Sequence, residues 1–152
     1  MNKSEVFVDQ YRNPIAKLPA AAAALVALAG LADSIYLTVH HYTAEPVPCS
    51  VITGCEQVLT SSYAEMYGIP TAAFGVAAYL TAFGLALLSA FGNRQTWSLF
   101  GAVVVVMAIF TGWLLYLQAF VIEAFCQFCL ISAATTLILL LIFLASKFVR
   151  SK

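Results

Sequence analysis

Charge is scarce in this sequence. Charged residues fill 9% of its 152 positions and hydrophobic residues 62%, where a soluble domain carries roughly 25% charged residues. So few charges cannot cover a globule in water, which leaves lipid as the solvent. The seven Lys and Arg balance the seven Asp and Glu. No basic cluster is interleaved with aromatics, so nucleic acid is not an expected partner. The glycine fingerprints that cradle dinucleotides are missing, which argues against a bound flavin or nicotinamide. Internal repeats and low-complexity linkers are absent too, so residues 1–152 read as one domain. Cysteine is sparing: Cys49, Cys55, Cys126 and Cys129 are the only four.

What the sequence does have is long apolar runs, at 19–40, 70–91, 96–122 and 126–148. At ~1.5 Å rise per residue each can cross a hydrocarbon core of ~30 Å. In lipid every backbone group must be paired within its segment, so helices are expected. The fold class is an all-α membrane protein: a four-transmembrane-helix bundle with an outer loop at 41–69 and a short amphipathic helix. The stretch "KLPAAAAALVALAGLADS" has the look of a secretory signal. However, a polar stretch precedes Lys17 and the apolar run continues through Ile35, Tyr36, Leu37 and Val39. A retained first helix is the expectation.

The basic residues orient the bundle. Lys3, Arg12 and Lys17 precede the first span, Arg94 separates the second and third, and Lys147, Arg150 and Lys152 end the fourth. The 41–69 loop and the 123–125 turn hold none. With four spans, all these basic segments share one face, which the positive-inside rule makes cytoplasmic. Both termini are then cytoplasmic and all four cysteines extracytoplasmic, where disulfides persist.

Cys126 and Cys129 form a CxxC pair at the start of the fourth helix. Such a pair can be a redox dithiol, half a metal site or two inert thiols. Residues three apart share a helical face, and a helix start lowers a thiol's pKa. A disulfide across so small a ring is a poor staple, because stabilisation grows with loop length. Ser132 and Thr135, further along, read as back-bonded helical hydroxyls. Cys49 and Cys55 lie in the loop "VPCSVITGCEQVL", either as an exchanging pair or as a plain structural disulfide. Zinc has enough cysteines, but the first spacing is wider than usual and nothing beside the CxxC completes a site. His40 and His41 read as interfacial polar residues.

Two outward pairs suggest an electron relay, and a membrane quinone is the natural sink for a protein buried in lipid. Val58, Leu59, Ser62, Tyr63 and Met66 recur at helical spacing. They describe an amphipathic helix over the bundle mouth, either a lid on a quinone pocket or a merely interfacial helix. Gly68 would stop it and Pro70 would start the second span. Asp33 lies well inside the first span, where a carboxylate usually faces the interior. It reads as a proton relay or as hydrogen-bonded structure.

The combination "CSVITGCEQVLTSSYAEMYGIPTAAFGVAAY" plus "CQFCLISA" resembles the vitamin K epoxide reductase family in its bacterial single-domain form. The matching positions are Cys49, Cys55, Val58, Ser61, Tyr63, Ala64, Gly68, Ile69, Pro70, Gly75 and Tyr79, then Cys126 and Cys129, with Asp33 and Tyr36 in "DSIYLT". The resemblance spans about residues 25–145. It implies an enzyme of the bacterial inner membrane, a quinone-dependent thiol-disulfide oxidoreductase. Cys49 would meet a thioredoxin-like partner, expected as a separate protein. Cys55 would exchange with Cys126, and Cys129 would deliver electrons to ubiquinone or menaquinone, with Ser61 beside the quinone. The product would be an oxidised partner that makes disulfides in exported proteins. Animal members have a tyrosine four residues after the second CxxC cysteine; here Ala133 stands there. Quinone reduction, not animal-type epoxide reduction, is therefore the expected activity. Two alternatives are a DsbB-like oxidoreductase and a non-catalytic four-cysteine metal-binding membrane protein. The former usually carries its two cysteine pairs in the reverse order.

Overall fold

A computed structural model describes residues 14–151. Its long helices are α1 (Pro14–Thr43), α3 (Thr71–Ala90), α4 (Arg94–Tyr116) and α5 (Gln127–Ser151). A π-helical turn, Leu117–Val121, prolongs α4. Four stretches are long and apolar enough to cross a membrane: Lys17–Thr43, Thr71–Ala90, Arg94–Val121 and Gln127–Ser151. The protein is an integral membrane four-helix bundle. Of the basic residues used to orient it, Lys3, Arg12 and Lys152 lie outside the described residues.

Helix α1 packs against α3 and α5, and α4 closes the ring against α3 and α5. Ala20, Ala23, Ala24 and Ala27 make one buried stripe on α1 and cluster with Ala82 and Ala86 of α3. Lipid gives helices no hydrophobic reason to associate, so small residues that let backbones approach supply the contact. Trp97, Phe100 and Val104 of α4 and Leu139 of α5 fill the remaining space. Two glycines are obligatory here. A Cβ at Gly30 would overlap the Tyr79 ring, and one at Gly101 the Phe143 ring. The opposite faces carry apolar side chains outward: Leu25, Ile109 and Phe120 are each 70% exposed. Such a surface is costly in water and ordinary against acyl chains.

Between α3 and α4 the chain turns through Gly92, at φ 104°. The Asn93 side chain then caps α4 by accepting the Gln95 N–H at 3.1 Å. Ala44, with φ 53°, ends α1 at the opposite end of the bundle.

The outer loop departs from the expected single amphipathic helix. Its helix, α2, spans only Cys55–Leu59. The Thr60 and Ser61 hydroxyls donate to the carbonyls of Glu56 and Val58 at 2.6 and 2.7 Å, and turns follow. Local hydroxyl bonds of this kind compete with helix propagation. Glu65–Met66 (β1) and Ile69–Pro70 (β2) then form a small antiparallel hairpin. Its two turn residues, Tyr67 and Gly68, have φ 55° and 78°, the double positive φ of a type I′ turn. Gly68 therefore makes a hairpin rather than stopping a helix. Thr71 ties the hairpin to α3, its N–H donating to Ala64 O at 2.8 Å and its hydroxyl to Tyr63 O at 3.0 Å. His41 at the end of α1 holds the other side, 2.8 Å from Glu65.

Candidate functional site

The four cysteines, far apart in sequence, pack together at one end of the bundle. Cys55, Val58, Ala124 and Cys126 form a buried cluster, with Cys49, Leu59, Ile122, Phe128 and Cys129 against it. Cys49 and Cys55 are joined in a disulfide with their Cα atoms 6.3 Å apart, and Cys126 and Cys129 are free thiols. The loop pair is asymmetric: Cys55 is buried and Cys49 half-buried. In the CxxC pair, Cys126 is buried and Cys129 half-buried.

Close approach of the loop to the CxxC depends on Gly54. A Cβ there would lie 2.7 Å from the Phe125 carbonyl oxygen and 3.0 Å from its nitrogen. The Gln127 N–H donates to Cys55 Sγ at 3.4 Å, and Gln127 Oε1 accepts the Val51 N–H at 3.1 Å. The Phe128 ring lies 5.1 Å from the Tyr36 ring, tilted by 36°, which fastens the CxxC to α1.

Cys126 is the residue from which α5 starts: its carbonyl accepts the Leu130 N–H at 3.0 Å. The first N–H groups of a helix have no partner within it. Here sulfur supplies one. The Gln127 N–H goes to Cys55, while those of Phe128 and Cys129 act on the Cys126 sulfur. The Cys126 thiol is drawn down to about 7, first by the hydrogen bond from the Cys129 thiol and then by those two backbone N–H groups; burial and the Asp33 carboxylate act against them. Cys126 is thus suited to be a thiolate near neutral pH, the form that attacks a disulfide.

Beside the thiols lies a mainly apolar cavity of about 370 Å³. Its walls come from α1, α3, α4 and α5, and its roof from Val58, Leu59, Ser61, Tyr63, Ala64 and Met66 of the outer loop. The outer loop covers this cavity as a short helix, turns and a hairpin, not as one amphipathic helix. Cys129 and Ser61 line the cavity and Asp33 does not. The Ser61 hydroxyl already donates to Val58 O. Asp33 Oδ2 is sealed from solvent and has no hydrogen-bond partner. The floor is set by Tyr79, whose OH meets the Ser132 carbonyl and the hydroxyls of Ser132, Thr135 and Thr136 at 2.7–3.0 Å. Ser132 and Thr135 are thus more than back-bonded hydroxyls: they anchor Tyr79.

A second, more polar pocket of about 580 Å³ lies over the outer loop, lined by His40, His41, Glu45, Glu56 and Glu65 among others. It contains no cysteine. Among the described residues, no group of three or more His, Cys, Asp or Glu is placed to hold a metal ion.

Gln118 escapes a sequence reading. It sits in the π turn, 3% exposed, and its Oε1 accepts the Cys126 N–H at 3.1 Å. Its carbonyl takes the Ala124 N–H at 3.1 Å. The available signal is an amide inside an apolar span, since polar groups there need partners. Gln127, which holds the loop to the CxxC, carries no signal beyond lying between two cysteines.

The vitamin K epoxide reductase family model matches residues 21–144, the whole stretch from α1 through the loop cysteines to the body of α5. Four spanning helices, two cysteine pairs in contact and this match lead to one conclusion: the chain belongs to the vitamin K epoxide reductase family and is an integral membrane oxidoreductase acting on thiols.

Proposed function

We propose that the protein reoxidises a thioredoxin-like partner outside the cytoplasm and passes the electrons to a membrane quinone. Both termini are cytoplasmic in this reading, and the membrane is a bacterial inner membrane. The observation that carries it is the position of Cys129, packed in the four-cysteine cluster and also lining the apolar cavity.

The roles follow from exposure. A partner thiolate attacks Cys49, the more accessible sulfur of the loop pair, and Cys55 leaves. The partner's second thiol then releases it as a disulfide, and the loop pair becomes a dithiol. Cys55 attacks the CxxC disulfide at Cys126, the sulfur it packs against, and Cys129 leaves as a thiolate. Closure by Cys49 restores the loop disulfide and leaves Cys126 and Cys129 reduced. The CxxC then closes, giving its two electrons to a quinone, which with two protons becomes a quinol. Overall, a partner dithiol and a quinone become a partner disulfide and a quinol, with two electrons and two protons transferred.

The cavity fits such a ligand. Its walls are apolar, its polar groups are few, and a thiol stands in its lining. Ser61 would border the quinone ring from the roof. Asp33 acts electrostatically on both Cys126 and Cys129, and in this reading it takes up a thiol proton as the CxxC closes.

The deciding experiment uses purified protein in detergent with a reduced thioredoxin-like protein and a short-tailed quinone. Cys126→Ala and Cys129→Ala are each expected to stop quinone reduction, and full activity in either would sink the reading. Cys55→Ala is expected to hold the partner as a mixed disulfide on Cys49. Failure to trap any thioredoxin-like protein would count against the assigned direction of flow.

A further inference from the structure

We infer that the Gln118 amide donates a hydrogen bond to a quinone carbonyl in the cavity and ties that carbonyl to the CxxC through the Cys126 N–H. The inference rests on the quinone reading above.

Three observations carry it. First, Gln118 lines the cavity that Cys129 also lines, although its side chain is almost wholly buried. What exposure it keeps is therefore toward the cavity. Second, the orientation of its amide is determined. The Cys126 backbone can only donate, so the atom it meets at 3.1 Å must be the amide oxygen. That leaves the NH2 group on the other branch, with two donors and no hydrogen-bond acceptor among the described residues. Third, most neighbouring donors are committed. Ser61 donates to Val58 O, Thr71 to Tyr63 O, and Tyr79 lies within the hydroxyl cluster on α5. Ser34, Tyr63 and Thr111 also bring hydroxyls to the lining, but a hydroxyl rotates freely. Only Gln118 is a planar donor clamped at its other end to the CxxC backbone.

The chemistry suits a carbonyl acceptor. A quinone offers two C=O oxygens that gain negative charge as electrons arrive, so a fixed N–H donor stabilises the reduced side of the reaction more than the oxidised side. The π turn is what aims the amide. Its hydrogen bonds run i to i+5, with the Ile122 N–H on Leu117 O at 2.8 Å. Such single π turns recur at functional sites.

The test separates a ligand contact from a structural one. Binding of a short-tailed benzoquinone and of the matching 1,4-dimethoxybenzene is measured by equilibrium dialysis on the purified full chain in detergent. The dimethoxy compound has a similar ring and no carbonyl. The wild type is expected to prefer the quinone by roughly tenfold, about one hydrogen bond. Gln118→Met is expected to erase that preference while still binding both rings. Gln118→Asn, too short to reach both partners, is expected to do the same and serves if the methionine variant fails to fold. A purely structural role would lower both affinities together and leave the preference intact, which overturns the inference. So does a wild type with no preference. Wild-type turnover with quinone and reduced partner is recorded in parallel. If turnover is absent, the underlying reading fails; if turnover is present and Gln118→Met keeps the preference, this inference alone fails.

Discussion

The two ends of the bundle are built on opposite rules. At one end, alanines on α1 meet alanines on α3, and glycines sit under aromatic rings with no room for a methyl group. At the other, the same four helices line a 370 Å³ cavity roofed by the outer loop. Tyr79 marks the border: its ring lies on Gly30 and its hydroxyl on α5. The closed end holds the helices together, so the open end is free to be hollow. Stability and chemistry are therefore separable by position along the bundle axis.

That separation can be broken by experiment, starting with the largest effect. Cys129→Ala should reduce quinone-linked thiol oxidation to background while leaving the detergent melting transition nearly unchanged. A large loss of stability would show that the open end also carries the fold. The reverse experiment is Gly101→Leu, which forces a side chain into the Phe143 ring. Overpacking of this kind costs about 3 kcal/mol, read as a lowered unfolding midpoint. The fraction still folded should keep the wild-type thiolate absorbance of the CxxC.

Tyr79→Phe tests the border. It removes the hydroxyl that joins α3 to Ser132, Thr135 and Thr136, and should cost about 1–3 kcal/mol by stranding buried polar groups. A fourth test probes the thiols alone. With Cys126 drawn down to about 7, it is protonated and slow below that pH and a fast-reacting thiolate above it. Its ultraviolet thiolate absorbance should therefore rise with a midpoint near 7. Cys129→Ala removes the leading cause of the shift, so the midpoint should climb toward the ordinary thiol value of about 8.5. An unmoved midpoint would mean that the helix start alone tunes Cys126. The smallest effect belongs to His41→Ala. The His41–Glu65 pair is largely exposed, so its loss should change stability by less than about 1 kcal/mol and show mainly as faster proteolysis of the 60–70 hairpin.

The closed end was readable in the sequence and the open end only partly. Apolar runs report helices well because lipid forbids any other local structure. The expected 70–91 and 96–122 became Thr71–Ala90 and Arg94–Val121. The outer loop was harder. Val58, Leu59, Ser62, Tyr63 and Met66 do have helical spacing, and most of them face the cavity. Yet a type I′ turn needs a positive φ at Tyr67, which no pattern of apolar residues announces. The four cysteines were legible as two pairs, and their mutual contact was legible only through the family resemblance. Gln118 was legible only as an amide inside an apolar span; what it meets depends on a change of helical register that leaves no trace in composition.

That register has a consequence for anyone who edits this protein. In an α-helix each residue advances the chain by about 100° around the axis, and a π turn holds one residue more than the α turn it replaces. The turn Leu117–Val121 therefore works as a phase shifter. Deleting a single residue within it would restore plain α-helical winding while leaving hydropathy almost untouched. The residues after the turn would be rotated by about 100° relative to those before it, and the link from α4 to the start of α5 would arrive one step short. A conservative-looking length change at this spot is a rotation of the site.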